Sequence, residues 1–225
     1  MQCIVVVPAY QEEQLIGRVV AKLVDLGYRV VVVDDGSTDA TGSRAVSAGA
    51  AVFCHAVNRG QGAALQTGIT AALRMGADAI VTFDADGQHQ VEDIAKLLEP
   101  LWAGSADAVL GSRFLPGATS PTMPPLRRWL LRLAVSFDRW RTELKITDTH
   151  NGLRAFTAAA ARRLHIRQDG MAHASEMLDQ IASLQLRYVE VPVTVRYTPY
   201  AKAKGQRVGG SLTILRDLLI RRWLA

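Results

Sequence analysis

The feature that most constrains the fold is a regular alternation of short apolar runs and amphipathic segments in the first half of the chain. The apolar runs are rich in β-branched residues and lie at 2–8, 29–33, 51–55, 79–83 and 107–111. Between them, apolar residues recur at the spacing of helices that cover a sheet. Runs without polar alternation are typical of parallel strands buried on both faces. The sequence therefore predicts an α/β fold with a mostly parallel central sheet and helices on both faces.

The second half of the chain continues this pattern less regularly. We predict helices at 126–144, 157–164 and 171–186, a strand at 188–197 and a further helix at 212–224. Pro192 removes a hydrogen-bond donor from the predicted strand, which we therefore expect at the edge of the sheet. No repeat, low-complexity tract or linker divides the 225 residues, so we predict a single domain over 1–225.

The run at 79–83 is followed by two carboxylates, Asp84 and Asp86. Residues two apart on an extended chain point to the same side, so the pair can share one cation, with Gln88 within reach. Hard oxygen ligands that leave several positions open suit Mg²⁺ or Mn²⁺ bridging to a phosphate. The alternative is a strand end whose acids are simply solvated, and the pair alone does not decide between them.

Two further loops follow strand ends. The turn at 34–39 is rich in carboxylate and hydroxyl groups, and the loop at 58–64 has glycines before a predicted helix. Glycines at a helix N-terminus can cradle a phosphate through backbone N–H groups, but a simple turn explains them equally well. The Gly-Lys-Ser/Thr and Gly-x-Gly-x-x-Gly signatures of common nucleotide loops are absent from the sequence.

Charge divides the predicted domain into two halves. Residues 1–112 carry 7 Lys and Arg against 13 Asp and Glu, a formal charge of −6. Residues 113–225 carry 19 against 8, a formal charge of +11. An acidic half that can hold a metal, joined to a basic half, indicates an anionic partner such as a phosphate, a lipid headgroup or a nucleic acid.

Cysteine usage and hydropathy bear on where the protein resides. Cys3 and Cys54 lie in predicted strands, outside any metal-binding spacing, which favours reduced thiols and the cytoplasm. No signal peptide is recognisable at Met1, and no apolar run reaches the roughly 18 residues that cross a bilayer. At 126–144 and 212–224, tryptophans and leucines alternate with arginines at the spacing of helices that lie in a membrane interface. The alternative is that these helices pack on their own domain.

Four motifs follow the predicted strands in order: Val-Pro-Ala-Tyr-Gln-Glu-Glu at 7–13, Val-Asp-Asp-Gly-Ser-Thr-Asp at 33–39, Asn-Arg-Gly-Gln-Gly at 58–62 and Asp-Ala-Asp-Gly-Gln-His at 84–89. Their order and spacing resemble the family 2 glycosyltransferases. Gly-Ser-Arg-Phe at 111–114 and Asp-Thr-His-Asn-Gly-Leu-Arg at 148–154 resemble its polyprenyl-phosphate (dolichyl-phosphate mannosyltransferase-like) branch. The resemblance covers essentially the whole chain. It implies the GT-A nucleotide-diphospho-sugar transferase fold and sugar transfer from a UDP-, GDP- or dTDP-sugar with inversion at the anomeric carbon.

The resemblance also implies roles for individual residues, with 1–112 as the nucleotide-sugar and metal half and 113–225 as the acceptor and membrane-facing half. Contacts with the nucleotide sugar are expected from Pro8, Ala9, Tyr10, Glu12, Asp34, Asp35, Gly36, Asn58, Gly62, Asp84 and Ala85. The metal, Mg²⁺ or Mn²⁺, would be held by Asp84, Asp86 and Gln88. The phosphate of the acceptor would be held by Arg113, Arg154, Lys202 and Lys204. The catalytic set would comprise Asp86, Arg113, Asp148, Arg154 and Glu176.

The implied acceptor, an undecaprenyl or dolichyl phosphate, decides whether a general base is needed. A lipid phosphate is already an anion near neutral pH, so arginines that bind and orient it suffice. A sugar hydroxyl would need a base, for which Asp148 and Glu176 are the candidates. Two departures from the branch affect this side of the site. Leu153 stands where the branch usually has Phe, and Glu176 is a single acid where relatives often carry two.

Membrane contact is the remaining expectation from the resemblance. Many relatives carry transmembrane helices after the catalytic domain, and this sequence shows none. Contact would then come from the two tryptophan-bearing helices or from a small separate membrane subunit. We therefore expect a cytoplasmic protein that is peripheral on the inner face of the membrane.

Other functions fit parts of the sequence. A glycosyltransferase that extends a cell-surface polysaccharide or glycolipid would share the donor motifs. A sugar-1-phosphate nucleotidyltransferase has a related fold, but its usual glycine-rich first loop is replaced by Pro8-Ala9-Tyr10. A non-enzymatic nucleotide-sugar-binding subunit would not need the complete set of expected metal ligands. Nucleic-acid binding is disfavoured, because the basic residues lie on tryptophan-bearing helices and no nucleic-acid module is present.

Overall fold

The central sheet positions every other part of the molecule. The structure is a computed structural model in which we describe residues 1–120, 123 and 125–196. Its strands are β1 (Cys3–Ala9), β2 (Arg29–Asp34), β3 (Ala51–Cys54), β4 (Ala79–Thr82), β5 (Ala108–Ser112), β6 (Arg154–Thr157) and β7 (Tyr188–Pro192). Its helices are α1 (Ile16–Asp25), α2 (Thr41–Ser47), α3 (Gln61–Arg74), α4 (Asp93–Trp102), α5 (Pro125–Thr142), α6 (Ala158–Ala161) and α7 (His173–Ser183).

The strands form one mixed sheet in the order β3-β2-β1-β4-β6-β5-β7. β1 pairs in parallel with β2 and β4, β2 with β3, and β5 with β7. The strand β7, which contains Pro192, lies at the edge of the sheet as expected. The predicted α/β fold with a mostly parallel central sheet is confirmed.

The strand β6 is the element that the sequence pattern did not reveal. It has four residues and runs antiparallel between β4 and β5. So short a strand shows no alternation of polar and apolar residues. In this region the sequence predicted only a helix, at 157–164. That helix is reduced to α6, where the N–H of Ala160 donates a hydrogen bond to Oγ1 of Thr157 at 3.2 Å.

Alternate residues of the buried strands pack on opposite faces of the sheet. Val5 and Val7 of β1 belong to a core cluster with α1 and α4. Ile4 and Val6 belong to a second cluster with α3, α6 and α7. All four side chains are fully buried. Burial on both faces explains the β-branched runs and holds the strand ends in a fixed relation.

Strand pairing collects the functional loops at one edge of the sheet. In the parallel register, Ala9 pairs with Asp34 and Val6 with Thr82. Because β6 is antiparallel and Arg154 pairs with Thr82, the loop that precedes β6 also reaches this edge. The edge therefore holds residues from both halves of the chain, at the place where ligands bind in open α/β sheets.

The helix α5 matches the helix predicted at 126–144, but it does not bury the predicted apolar stripe. Its buried side chains are Leu131, Ala134, Val135, Asp138 and Thr142. Four members of the stripe are exposed, by 60% at Leu126, 58% at Trp129, 44% at Leu133 and 78% at Trp140, while Leu130 and Phe137 are half-buried. The helix packs on its own domain through its other face, and the membrane contact of the exposed residues stays a prediction.

Two further predictions concern membrane-spanning helices and the C-terminal segment. Within the described residues, no helix has both the length and the hydropathy to span a membrane. The predicted helix at 212–224, together with Lys202 and Lys204, lies outside the described residues.

Candidate active site

A cavity of about 490 Å³ lies at the edge of the sheet where the loops converge. From the predicted nucleotide-sugar contacts, Pro8, Ala9, Tyr10, Glu12, Asp35 and Asn58 line it. Ala85, another predicted nucleotide-sugar contact, also lines it, as do the predicted metal and phosphate contacts Asp84, Asp86, Gln88 and Arg113. The structure thus brings most of the predicted residues around one space.

Asp35 is held rigidly at one end of this cavity. Its carboxylate is almost fully buried and accepts hydrogen bonds from the N–H groups of Arg59 at 2.9 Å and Gly60 at 2.7 Å. Nδ1 of His55 donates to it at 2.7 Å, and Nε2 of the same ring lies 3.0 Å from Oγ1 of Thr67. A carboxylate fixed by three neighbouring groups offers a defined position for a ligand hydroxyl or base. The motif contained Asp35, but the supporting His55 follows a different strand and carried no sequence signal.

Asp34, Gly36 and Gly62 are near the cavity without lining it. Oδ1 of Asp34 accepts from the N–H of Ser37 at 2.9 Å. Gly36 has a φ of 77°, and a Cβ there would come within 2.6 Å of the backbone N of Asn58. These residues shape the loops behind the site, and their direct contacts with the nucleotide sugar stay predictions.

The loop at 58–64 is a turn and not a phosphate cradle. The N–H groups of Arg59 and Gly60 are bound by Asp35, and the N–H of Gly62 donates to the carbonyl of Asp169 at 2.7 Å. A Cβ on Gly62 would lie 1.9 Å from the carbonyl oxygen of Gln168. Close packing of the 168–170 loop therefore explains Gly62, and the simple-turn alternative is the one that the structure supports.

Asp84 and Asp86 form the acidic wall of the cavity. Oδ1 of Asp84 accepts from Nε2 of Gln61 at 3.1 Å, and Oδ2 from Nε2 of His89 at 3.0 Å. Burial alone would raise the pKa of Asp84, but the hydrogen bond and charge of His89 outweigh it and lower the pKa. Burial and the neighbouring charge of Asp84 raise the pKa of Asp86, which also accepts bonds from the N–H and side chain of Gln88.

The composition of this acidic wall fits a metal that is shared with a substrate. No group of three or more His, Cys, Asp or Glu in the part of the chain that the structure describes is arranged to hold a metal by itself. Mg²⁺ is commonly held by one or two carboxylates together with substrate phosphates. Two half-buried carboxylates that repel each other are therefore a suitable partial site for such an ion.

Gly152 packs directly behind Asp84. A Cβ at this position would lie 2.3 to 2.7 Å from the atoms of the Asp84 carboxylate. The carbonyl of Gly152 accepts a hydrogen bond from Oγ1 of Thr82 at 2.6 Å, which ties the loop to β4. Only a residue without a side chain allows this approach, and the antiparallel β6 that creates it was not visible in the sequence.

Arg113 and Asp148 form a buried two-pronged ion pair. Nε and Nη2 of Arg113 donate to the two carboxylate oxygens of Asp148 at 2.6 Å each, and the backbone N–H adds a third bond at 3.0 Å. Burial would raise the pKa of Asp148, but the charge and hydrogen bonds of Arg113 lower it. Asp148 lies outside the lining of the cavity and orients Arg113. Its place in the catalytic set stays a prediction.

Arg154 is a buried cation beneath the cavity. Its guanidinium donates to the backbone carbonyls of Thr149 at 2.7 Å, Asn151 at 3.1 Å and Ala174 at 3.1 Å. Burial lowers its pKa to about 10, against the opposing effect of Asp148 and other carboxylates. These carbonyls engage all three nitrogens, and Arg154 lies outside the lining of the main cavity, so it holds the loop in this structure. Its contact with an acceptor phosphate stays a prediction.

Glu176 stabilises the loop before α7. Its carboxylate accepts hydrogen bonds from the N–H groups of Arg167 at 3.1 Å and Gln168 at 2.9 Å. It lies outside the lining of the cavity and supports the 167–170 backbone, and its catalytic role stays a prediction. This backbone in turn contacts Gly62.

Comparisons with known proteins agree with this geometry. Residues 4–168 match the family model of Glycosyl transferase family 2. The chain is 34% identical over 236 residues to UDP-N-acetylglucosamine–dolichyl-phosphate N-acetylglucosaminyltransferase of Methanococcus voltae, covering 96% of this chain and 94% of that protein. It is 32% identical over 236 residues to undecaprenyl-phosphate mannosyltransferase of Micrococcus luteus, covering 99% of this chain and 96% of that protein.

A solved structure matches the fold over almost the whole chain. It is glucosyl-3-phosphoglycerate synthase from Mycobacterium tuberculosis in complex with Mg²⁺ and UDP, with a TM-score of 0.71 and 25% identity. The match covers 98% of this chain and 79% of that one. With the family model matching most of the chain, the predicted resemblance and the predicted enzyme class are confirmed. The chain belongs to glycosyl transferase family 2.

Proposed function

We propose that this protein transfers a sugar from a nucleotide diphosphate sugar to a polyprenyl phosphate, with Mg²⁺ or Mn²⁺ and with inversion, at the cytoplasmic face of the membrane. The observation that carries the proposal is that an acidic wall and an arginine line one cavity. Asp84 and Asp86 form the acidic wall, and Arg113, fixed by Asp148, lines the same space. A metal–diphosphate donor matches the acidic wall, and an anionic acceptor matches Arg113. Both relatives named above are transferases to a polyprenyl phosphate by name.

On the donor side, Asp35 and the neighbouring residues around Tyr10 would bind the base and the ribose of the nucleotide sugar. Asp84, Asp86 and Gln88 would hold the divalent cation on the diphosphate. The cation neutralises the negative charge that develops on the leaving nucleotide diphosphate, without proton transfer. The similar solved structure that contains Mg²⁺ and UDP supports this assignment.

On the acceptor side, Arg113 binds and orients the phosphate of the lipid. Asp148 holds the guanidinium through two bonds, so its fork is positioned before the acceptor arrives. The phosphate oxygen is already an anion and attacks the anomeric carbon directly, on the face opposite the leaving group. Such a single displacement inverts the configuration and needs no general base. The two candidate bases for a hydroxyl acceptor, Asp148 and Glu176, do not line the cavity, which favours the phosphate acceptor.

The exposed stripe of α5 supports a place at the membrane surface. Trp129 and Trp140 project with two leucines, and the exposed Arg128 and Arg132 lie on the same helix. Tryptophan at an interface and arginine near anionic headgroups both favour this location. The described residues give no support for a separate membrane subunit, and the proposal does not include one.

A transfer assay tests the proposed reaction. The protein is incubated with undecaprenyl phosphate and each of a set of UDP-, GDP- and dTDP-sugars, with and without Mg²⁺ or Mn²⁺. We expect a sugar-phosphate-lipid product by mass spectrometry, formed only when metal is present. Release of nucleotide without this product, with transfer to an added saccharide instead, would make a saccharide the acceptor. Product formation in a chelator would contradict the metal requirement.

Vesicle binding tests the proposed location. Sedimentation with anionic vesicles should decrease when Trp129 and Trp140 are both changed to Ser, because interfacial tryptophans lose their apolar contact. Val46→Ser, on α2 at another exposed apolar position, is the matched control. Equal binding of the wild type and the double variant would contradict the role of α5.

A further inference from the structure

A short segment, residues 193–196, lies at the edge of the sheet that carries the candidate active site, and we call it the strap. It follows β7 directly, and its Val195 lines the main cavity. None of the roles assigned above includes these four residues. Their contacts connect them to the acidic wall.

The strap is attached to the loop that bears the predicted metal ligands. The N–H of Arg196 donates a hydrogen bond to the carbonyl of Gln88 at 2.9 Å. The backbones of His89 and Val195 pair as an antiparallel bridge. Two consecutive residues of this loop are therefore held by a segment that is about a hundred residues away in the sequence.

The two loop residues that the strap holds are also the ones that orient the acidic wall. Nε2 of His89 donates to Oδ2 of Asp84 at 3.0 Å. The N–H of Gln88 donates to Oδ1 of Asp86 at 3.0 Å, and the side-chain amide of Gln88 donates to Oδ2. Each carboxylate thus has a hydrogen-bonded neighbour whose main chain is fixed by the strap.

The strap is in turn anchored to the rigid part of the fold. The N–H of Thr194 donates to Oδ2 of Asp93 at 2.7 Å, and the N–H of Val195 donates to the carbonyl of Thr119 at 3.0 Å. The side chains of Val193 and Val195 are buried in the core cluster that contains residues of α1 and α4. The position of the strap is therefore set by the core and not by the loop that it holds.

Asp93, the first residue of α4, is a buried carboxylate with two partners. One oxygen accepts from the N–H of Thr194, and the other accepts from Nζ of Lys96 at 2.6 Å. The side chain of Lys96 is half-exposed, and ion pairs at the surface contribute little to stability. Because a buried carboxylate is unfavourable without hydrogen bonds, the bond to the strap is the contact that explains an acid at this position.

We infer that Asp93 and the strap are positioning elements for the metal, which fix Gln88 and His89 and through them the two carboxylates of the acidic wall. This step rests on the proposed function, in which Asp84 and Asp86 hold the cation on the nucleotide diphosphate. Removal of a group that orients metal ligands typically lowers metal affinity by about tenfold to a hundredfold. Asp93 lies outside the lining of the cavity, so its effect reaches the metal only through the strap.

Nucleotide binding with and without metal tests the inference, and no transfer assay is needed. Calorimetry measures the affinity of the full chain for UDP, GDP and dTDP in Mn²⁺ and again in a chelator, and the ratio of the two affinities is the gain due to the metal. Arg196→Pro removes the N–H that donates to Gln88 and should reduce this gain about tenfold. Arg196→Ala keeps the N–H, so it is the matched control and should show the wild-type gain. A wild-type gain in Arg196→Pro would overturn the inference.

Variants of Asp93 repeat the test without a proline in the strap. Asp93→Ala removes the acceptor for the N–H of Thr194 and should also reduce the gain about tenfold. Asp93→Asn keeps an acceptor oxygen and should restore the wild-type gain. Lys96→Met removes the exposed partner but leaves the bond to the strap, so it is the matched control. A wild-type gain in Asp93→Ala, or an equal loss in Asp93→Asn, would overturn the inference.

The affinity in the chelator separates a positioning role from damage to the fold. It should be the same in Arg196→Pro, Asp93→Ala and the wild type, because the residues around Asp35 bind the nucleotide without the metal. Equal losses of affinity in Mn²⁺ and in the chelator would indicate general damage and would overturn the inference.

The result is distinguishable from failure of the proposed function. A wild-type chain whose nucleotide affinity does not respond to Mn²⁺ would contradict the metal-dependent reaction, and the inference with it. A normal response of the wild type that is unchanged in Arg196→Pro and Asp93→Ala would contradict the inference alone.

Discussion

The donor and acceptor sides of the cavity use charged residues in different ways. On the donor side, Asp35, Asp84 and Asp86 follow parallel strands directly and line the cavity. On the acceptor side, Asp148 is bound to Arg113, and Arg154 is bound to backbone carbonyls. Only Arg113 of these three lines the main cavity. The comparison shows that charge after a strand end indicates a ligand contact, whereas charge in a loop between packed elements often serves the loop itself.

Removing a metal ligand on the donor side is expected to have the largest effect. Asp86→Asn keeps the shape of the side chain but removes the charge that holds the cation, so kcat/KM for transfer should decrease about a thousandfold. Mn²⁺-dependent binding of the nucleotide diphosphate, measured by calorimetry, should weaken in parallel. Asp34→Asn, behind the cavity, serves as the comparison on the same side. A variant with wild-type activity and wild-type metal dependence would remove the basis for the acidic wall.

The pH dependence of the free energy of unfolding tests whether His150 is buried as a neutral imidazole. Burial lowers the pKa of His150 from 6.5 to about 4, against the opposing effect of Asp138 and Asp148. Between these values the unfolded chain binds a proton that the folded chain does not, so stability should decrease as the pH falls from about 6.5 to about 4. The loss from this group is about 3 kcal/mol.

Urea unfolding across this pH range measures the effect of His150. His150→Gln should flatten the pH dependence, because the group that titrates only in the unfolded chain is gone. His165→Gln, at an exposed position, is the control and should keep the wild-type slope. An unchanged slope in His150→Gln would show that the imidazole is not buried in its neutral form.

Variants of the Arg113–Asp148 ion pair test the proposed acceptor side of the cavity. Arg113→Lys keeps the charge but loses the two-pronged geometry, so KM for the lipid phosphate should rise about tenfold to fiftyfold, with little change in nucleotide binding. Asp148→Asn should act in the same direction while the pH profile of kcat keeps its shape. Loss of the acidic limb of that profile in Asp148→Asn would instead identify Asp148 as a general base and a hydroxyl as the acceptor.

The donor side could be predicted from the sequence because its geometry is local. Parallel strands marked by valine-rich runs must end at a common edge, so the acids that follow them at 34–35 and 84–86 are brought together by the fold class alone. A strand-end motif does not distinguish a residue that lines the cavity from its neighbour: Asp35 and Asp86 line it, whereas Asp34 and Gly62 lie behind it.

The acceptor side depends on contacts between distant residues, which the sequence pattern does not encode. The four-residue β6 places Gly152 behind Asp84 and turns Arg154 inward, and no periodicity marks it. The helical spacing of apolar residues predicted helix α5 correctly. The same spacing occurs on its buried face around Asp138 and on its exposed face around Trp129, so it does not show which face packs inward. Which face packs inward is decided by the partner, α7, and not by the helix.

Glu176 is expected to give the smallest effect, and it tests whether an acid on the acceptor side can be purely structural. Glu176→Gln keeps an acceptor for the N–H of Gln168 but removes the charge, so the free energy of unfolding should decrease by about 1 kcal/mol. Because the 167–170 backbone packs on Gly62, a small rise in KM for the nucleotide sugar is the expected effect on activity, with kcat nearly unchanged. Thermal unfolding and steady-state kinetics measure the two quantities, and Glu99→Gln on the far helix α4 is the control. A large decrease in kcat with unchanged stability would assign Glu176 to the chemistry and make the two sides of the cavity alike.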